Sequence, residues 1–271
     1  MSEILHSKNP SEKTIVEING VKFGSDEFGL IAGPCAIESE EQLMQVAKTL
    51  KENNIKIMRA SAYKPRTNPY SFQGMEEEGI ELLSKVGKAT GLATETEVTS
   101  PTQVKFASER IDVLRVGARN MQNFELLKEL NKVDNPIILK NGMASTIDEF
   151  LGAAEYLMQN GKTNIILCWR GIRTYETKTR FTADVLAIPI LKELTHLPVI
   201  ADPSHPAGKL SLVAPLSKAF IAAGVDGLIV ETHPDPKNSK GDTLQQIPLD
   251  EFGLYINKLK PFILAAGKNL E

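Results

Sequence analysis

The sequence predicts an α/β fold: an eight-stranded parallel (β/α)8 barrel of the TIM type, preceded by an N-terminal β-hairpin. Eight short, apolar, β-rich runs alternate with helix-like segments, which favours a barrel over an open sheet. The length of 271 residues matches one such barrel. Each run ends in polar, charged or metal-binding residues, and in a barrel these ends meet at a single mouth where chemistry takes place.

The first predicted element is the hairpin. Residues 14–24 read TIVEINGVKFG, with Asn19 and Gly20 between two β-branched stretches, which is a strong signal for a two-residue turn. We expect this hairpin to close the bottom of the barrel rather than to act in catalysis. Residues 1–26 are therefore predicted to be an N-terminal extension, and residues 27–271 the catalytic barrel.

The barrel elements follow in order. Their apolar character is typical of strands buried on both faces, and Ser39 provides a cap signal for the first helix. The strands are predicted at residues 28–34, 55–61, 92–98, 113–118, 136–141, 164–170, 197–202 and 227–232. The helices are predicted near residues 39–53, 76–89, 100–108, 121–131, 146–160, 185–195, 211–223 and 248–265.

Composition excludes several classes of partner. The net charge of −3 gives no broad basic field for nucleic acid. No apolar run approaches the roughly 20 residues that span a bilayer, so we expect no membrane partner. Two cysteines, Cys35 and Cys168, do not form a disulfide framework, and the polar N-terminus lacks the apolar region of a secretory signal. We therefore expect a cytoplasmic protein.

The strand ends place chemically active side chains around one opening. In chain order the eight runs end with Cys35, Arg59 and Lys64, Glu97, Arg119, Lys140, Arg170, His205, and Glu231. Thiol, imidazole and carboxylate groups, with Asp242 in the loop after the last strand, suit a first-row transition metal better than calcium or magnesium. Taken singly, each is explained by a buried thiol, a helix cap or a surface carboxylate, and barrel closure alone would bring them together.

The cationic residues suit a doubly anionic small molecule. Arginine binds phosphate or carboxylate through two donors, while lysine supplies a point charge. The runs IMRAS and VLRVGARN embed arginine among apolar residues, and a buried arginine needs an anionic partner from the protein or from a ligand. For Glu97 two roles stay open: facing a developing cation or a water molecule, or pairing with Lys64 or Arg59.

Seven motifs in chain order resemble the 3-deoxy-D-arabino-heptulosonate 7-phosphate (DAHP) synthases, in particular their compact type I β branch, and more distantly the 3-deoxy-octulosonate 8-phosphate synthases. The motifs are GPCAIES, KPRTNPYSFQG, VGARNMQNF, LKNGM, RGIRT, ADPSH and VETHPDP. The resemblance implies a metal-dependent condensation of phosphoenolpyruvate with erythrose 4-phosphate, the first step of the shikimate pathway. It also implies a homodimer or homotetramer.

The same resemblance implies roles for individual residues. The metal ligands would be Cys35, His205, Glu231 and Asp242, holding manganese, iron, cobalt, zinc or cadmium. The catalytic residues would be Lys64, Glu97, His205 and Cys35. The substrate contacts would be Arg59, Lys64, Pro65, Arg66, Thr67, Ala118, Arg119, Lys140, Arg170, Asp202 and Ser204.

Two alternatives remain at this point. The same chemistry on arabinose 5-phosphate is the runner-up, although the KPRT segment favours erythrose 4-phosphate. A non-enzymatic or regulatory barrel that binds a sugar phosphate is a second class, and the full set of metal-type and anion-type residues argues against it. Because no regulatory domain is evident, we predict weak or no feedback by phenylalanine, tyrosine or tryptophan.

Overall fold

The hairpin forms where the sequence predicts it. The structure is a computed structural model, and it describes residues 4–7, 13–66 and 68–270. Strand β1 (Val16–Ile18) pairs antiparallel with β2 (Val21–Phe23). Asn19 and Gly20 between them have φ values of 48° and 76°, the left-handed conformation that this two-residue turn requires.

Eight parallel strands close into the predicted barrel. They are β3 (Gly29–Gly33), β4 (Ile57–Arg59), β5 (Ala93–Val98), β6 (Val113–Val116), β7 (Ile137–Lys140), β8 (Ile165–Trp169), β9 (Val199–Ala201) and β10 (Gly227–His233). Each strand pairs with the next, and β10 pairs with both β9 and β3, which closes the ring. A short strand, β11 (Ile247–Pro248), adds to the end of β10. The fold prediction is confirmed.

Helices connect the strands on the outside. The α-helices are α1 (Glu40–Glu52), α2 (Glu76–Thr90), α3 (Pro101–Ser108), α4 (Phe124–Leu130), α5 (Ile147–Met158), α6 (Ala187–Leu194), α7 (Ser204–Ala207), α8 (Leu210–Ala222) and α9 (Leu249–Ala265), and 3-10 turns lie at Ala118–Asn120, Gln159–Gly161 and Pro236–Asn238. The predicted cap is present, since Ser39 Oγ accepts a hydrogen bond from Gln42 N at 3.1 Å. Helix α7 was not predicted, because four residues are too few for a helical period. Among the described helices, none has both the length and the apolarity to cross a membrane.

The barrel interior has an apolar layer at its lower end. Each barrel strand contributes one residue to this lower layer: Ile31, Ile57, Ala93, Val113, Ile138, Ile166, Ile200 and Ile229. Val16, Ile18 and Phe23 of the hairpin pack against it. The hairpin therefore closes the bottom of the barrel, as expected from the sequence, and polar residues are left for the upper end.

Candidate active site

A layer of charged side chains lies directly above the apolar layer. Six strands place a buried charged residue two positions after their lower-layer residue: Arg59, Glu95, Arg115, Lys140, Asp202 and Glu231. Because side chains alternate along a strand, the step of two residues keeps them on the inner face. We call these six residues the charged layer.

The charged layer is neutralised by pairing. Arg59 Nη1 lies 2.8 Å from Glu231 Oε1, and Arg115 Nε lies 2.6 Å from Glu95 Oε1. Lys140 Nζ contacts Asp202 Oδ2. Removing one member of such a buried pair leaves an uncompensated charge, which is strongly destabilising. The layer therefore holds its three ion pairs in fixed positions.

Three of the four predicted metal ligands lie together at the mouth. The ligand atoms of Cys35, Glu231 and Asp242 all lie within 4.8 Å of one another. The fourth, His205, has Nε2 at 3.6 Å from Glu231 Oε1, and its Nδ1 lies 2.6 Å from Asp202 Oδ2. A carboxylate on the far nitrogen of a histidine ring is the usual way to orient it toward a metal. The mixed sulfur, nitrogen and oxygen donors fit a first-row transition metal. We call these four residues the metal cluster.

The electrostatics of this cluster favour a cation. Burial raises the pKa of the Cys35 thiol and Glu231 raises it further, whereas Lys64 opposes the rise. Lys64 Nζ lies 3.0 Å from Cys35 Sγ. Burial also acts to raise the pKa of Asp242, but His205 and Arg180 outweigh it and the net shift is downward. The carboxylate is therefore ionised at neutral pH, and a bound cation would favour loss of the thiol proton.

Two neighbouring glutamines, which the sequence reasoning missed, hold the cluster in place. Gln245 Nε2 donates to Glu231 Oε2 and to Asp242 Oδ2, at 2.9 Å each. Gln246 Oε1 accepts from the backbone N–H of Cys35 at 2.9 Å. No motif in the sequence marks them, because their burial follows from the path of the loop between β10 and β11.

A cavity of about 280 Å³ opens beside the cluster. Among the described residues that line it, two carry carboxylates, Glu97 and Asp242, and seven are cations: Lys64, Arg66, Arg115, Arg119, Lys140, Arg170 and Arg180. Such an excess of positive charge at the end of a closed barrel suits a ligand with more than one anionic group.

Arg170 is the cavity cation best placed to bind an anionic group. Its guanidinium stacks on the ring of Phe181 at 3.6 Å, and its buried Nη1 has no hydrogen-bond partner among the described residues. Burial lowers its pKa to about 10. Asn141 Oδ1 accepts from Arg170 N at 2.7 Å and so fixes the backbone here. A buried donor without a partner is costly, and an anionic ligand would satisfy it.

The remaining predicted substrate contacts divide into two groups. Lys64, Pro65, Arg66, Ala118, Arg119 and Lys140 line the cavity. Arg59, Asp202 and Ser204 are buried and contact the metal cluster instead, with Ser204 Oγ accepting from Glu231 N at 3.1 Å. Thr67 lies outside the described residues. The roles of all these residues in substrate binding stay predictions.

Glu97 lies at the cavity wall and pairs with Arg115 of the charged layer. Arg115 Nη1 donates to Glu97 Oε2 at 2.9 Å. Pairing with Lys64 or Arg59 was one of the two roles that the sequence left open, and the partner is a different cation. Burial acts to raise the pKa of Glu97, but Arg115 and, after it, Lys64 outweigh burial and lower the pKa. Arg115 lies opposite Glu97 in the β5–β6 register. That register, rather than any sequence motif, was the information needed to find it.

Comparison with known proteins identifies the family. The model of the DAHP synthetase I family matches residues 10–263. This chain belongs to that family. A relative named phospho-2-dehydro-3-deoxyheptonate aldolase, from Thermotoga maritima, is 43% identical over 256 residues, which cover 94% of this chain and 76% of the relative. A 2-dehydro-3-deoxyphosphooctonate aldolase from Bradyrhizobium diazoefficiens is 29% identical, with 94% and 97% of the two chains covered.

Solved structures agree with the family assignment. The crystal structure of the Thermotoga maritima DAHP synthase superposes with a TM-score of 0.94 at 41% identity, covering 98% of this chain and 78% of that chain. A truncated form of the 3-deoxy-D-arabino-heptulosonate 7-phosphate synthase from Thermotoga maritima gives a TM-score of 0.90 at 38% identity, and 98% of each chain is covered. The family resemblance inferred from the motifs is confirmed.

Proposed function

We propose that this chain is a 3-deoxy-7-phosphoheptulonate synthase, a transferase that condenses phosphoenolpyruvate with erythrose 4-phosphate to give DAHP and phosphate. This reaction opens the shikimate pathway to chorismate and the aromatic amino acids. One observation carries the proposal: a cluster of metal-type ligands within 4.8 Å borders a cavity lined by seven cations. Membership of the DAHP synthetase I family supports it.

The cations of the cavity would hold the two anionic substrates. The unpaired Nη1 of Arg170, together with Arg119 and Lys140, would bind the phosphate and carboxylate of phosphoenolpyruvate. Arg66, in the loop after β4, would bind the phosphate of the aldehyde. Holding both reactants in register supplies a large part of the acceleration in such bimolecular reactions.

Cys35, His205, Glu231 and Asp242 would hold a divalent ion, with manganese, iron, cobalt, zinc and cadmium all compatible with this donor set. When bound, the ion supplies Lewis-acid polarisation of the aldehyde oxygen. The side chains of the cavity would stabilise the charges that develop during the reaction. C3 of phosphoenolpyruvate attacks the aldehyde carbon, and positive charge builds at C2.

The ionised Glu97 would stabilise that positive charge and accept a proton from the water that adds to C2. Lys64 Nζ, held 3.0 Å from Cys35 Sγ, would donate a proton to the aldehyde oxygen. The C2–O bond to the phosphate of the hemiketal phosphate then breaks, and the C2 hydroxyl becomes the ketone of the product as its proton passes to the departing phosphate. Glu97 and Lys64, the two proton-transfer residues, both line the cavity.

A metal-reconstitution assay tests the proposal. The chelated protein is assayed with each metal added back, with erythrose 4-phosphate and arabinose 5-phosphate compared side by side and a control without aldehyde. We expect metal-dependent loss of phosphoenolpyruvate and release of phosphate with erythrose 4-phosphate, and much slower turnover of arabinose 5-phosphate. A preference for arabinose 5-phosphate would favour the runner-up, and no release with either aldehyde would favour a binding protein.

Assembly and location are also proposals. Large apolar side chains on the outer helices, such as Leu254 and Leu264 of α9, are exposed, which supports a homodimer or homotetramer. Both cysteines are free and buried, which supports a reducing, cytoplasmic environment.

A further inference from the structure

Arg115 occupies a central position that the proposed chemistry above does not use. It is buried in the charged layer, and its three donor groups bind three different side chains. Its Nε donates to Glu95 at 2.6 Å, its Nη1 to Glu97 at 2.9 Å, and its Nη2 to Ser61 Oγ at 2.8 Å. A guanidinium is planar and rigid, so three simultaneous bonds fix the relative positions of all three partners.

Ser61 extends this arrangement to the metal cluster. Its hydroxyl oxygen accepts from Arg115 and also from Arg59 Nη2 at 3.2 Å, which occupies both acceptor positions of the oxygen. Arg59 in turn bonds Glu231 at 2.8 Å. A continuous buried chain therefore runs from Glu97 at the cavity through Arg115, Ser61 and Arg59 to a carboxylate of the metal cluster.

We propose that Arg115 is a positioning residue of the condensation: it fixes the Glu97 carboxylate at the cavity wall and, through Ser61 and Arg59, ties it to Glu231. This inference rests on the proposed function, since it assigns Glu97 a place in that reaction. Both oxygens of Glu97 are constrained in this position. Arg115 bonds Oε2, and a side chain at Gly117 would overlap Oε1.

The charges that face Glu97 predict how the pH profile responds. Arg115 faces it from β6, Lys64 from the loop after β4, Lys140 from β7 and Arg59 from β4. Burial raises the pKa of Glu97, and these four cations lower it, Arg115 most strongly. Without Arg115 the pKa of Glu97 therefore rises. If kcat requires the ionised carboxylate, its acid limb moves to higher pH.

The test uses a charge-balanced pair of substitutions, Glu95→Gln with Arg115→Gln, which leaves the net charge unchanged and no ionised Glu95 without its partner. We expect a folded protein whose kcat falls about tenfold or more, in the range of lost outer-shell contacts at metal sites. We also expect a much smaller change in KM for phosphoenolpyruvate, and an acid limb of the kcat profile at higher pH. Arg115→Lys keeps the positive charge but not the planar guanidinium with its three nitrogen donors. We expect its kcat to lie between those of the native protein and the pair variant.

Two further variants separate positioning from simple stability. Ser61→Ala removes the link between the two arginines without changing any charge, and we expect it to lower kcat by less than the pair variant does. Asp226→Asn is the matched control, because Asp226 is equally buried and ion-paired with Lys192 at the lower end of the barrel. It should lower Tm without moving the acid limb.

A double-mutant cycle that combines Glu97→Gln with the pair substitution tests whether Arg115 acts on kcat through Glu97. Once Glu97 is neutral, the pair substitution should change kcat little further. The proposal would be overturned if the losses in kcat of Glu97→Gln and of the pair variant multiplied when the two were combined. It would also be overturned if the pair variant kept the native kcat and the native acid limb. Infrared titration of the protonated Glu97 carboxyl, assigned by its absence in Glu97→Gln, gives a readout without turnover. If the native protein makes no DAHP the proposed function fails, while an unchanged Glu97 titration in the pair variant would overturn this inference alone.

Discussion

The two inner layers of the barrel are built from the same strands and have opposite character. Ile57 belongs to the apolar layer and Arg59 to the charged layer, and the same step separates Val113 from Arg115. Two residues advance a strand by about 6.6 Å, so the apolar layer gives way within that distance to a layer in which six of the eight strands carry a charged residue. The hairpin closes one side and the cavity opens on the other. Packing and chemistry are therefore separated along each strand rather than between domains.

The two cysteines show the same contrast at the level of a single side chain. Both are fully buried, and burial raises the pKa of both thiols, that of Cys168 to about 12. Cys168 packs with the isoleucines of the lower layer. Cys35 instead has Lys64, Glu231 and Asp242 around its sulfur. Burial therefore does not distinguish the two thiols, whereas the carboxylate oxygens within 4.8 Å of the Cys35 sulfur do.

Replacing each cysteine with alanine should give the largest difference in turnover and in bound metal between the two environments. Cys35→Ala removes one of the proposed ligands, so we expect loss of turnover together with loss of bound metal. Cys168→Ala leaves a small cavity and should cost about 1 kcal/mol of stability with metal content and kcat near native. Metal analysis after gel filtration, with turnover on the same samples, measures both. A Cys35→Ala protein that retains metal and activity would remove Cys35 from the ligand set.

The sequence predicted elements whose signals are local. Strand and helix periods lie within about ten residues, and the Asn19-Gly20 turn is encoded by two adjacent residues. Helix α7 was missed because one helical turn carries no period. The strand ends also predicted that the residues of the metal cluster would come together, because barrel closure follows from the order of the elements.

The partners of the charged residues were not predictable in the same way. Arg59 and Glu231 are 172 residues apart in the chain, and Cys35 and Gln246 are 211 apart. Sequence shows that an embedded arginine needs an anion, but not whether the protein or a ligand provides it. The structure separates the two cases: Arg59 and Arg115 each form an ion pair with a carboxylate of the protein, whereas Arg170 forms none among the described residues and its Nη1 has no hydrogen-bond partner there.

The substitution Gly117→Ala tests whether turnover depends on the observed position of the Glu97 carboxylate. The backbone there has φ −73°, which any residue adopts, so the effect of Gly117→Ala is steric. The new Cβ would overlap Glu97 Oε1 and displace the carboxylate. We expect kcat to fall by about 100-fold, as for a catalytic group displaced by about 1 Å, with the fold retained. Steady-state kinetics and thermal unfolding measure the two effects.

Gly152→Ala is the matched control for that substitution. Gly152 lies in α5 with nothing within 4 Å of an added Cβ. The change should raise stability by about 0.5–1 kcal/mol through helix propensity and leave kcat native. Native kinetics in Gly117→Ala would mean that Glu97 does not need its observed position.

The smallest effect on kcat should come from a substitution where the hairpin packs against the apolar layer, even though it causes a large loss of stability. Phe23 is fully buried where the hairpin enters the barrel, and its ring occupies the space beside Gly29 that a side chain there would fill. Phe23→Ala should lower the free energy of unfolding by about 3–5 kcal/mol, measured by urea titration. The kcat of the molecules that remain folded should stay native, because the charged layer keeps its own pairs. A loss of kcat at temperatures where the variant is fully folded would show that the apolar layer also controls the geometry of the mouth.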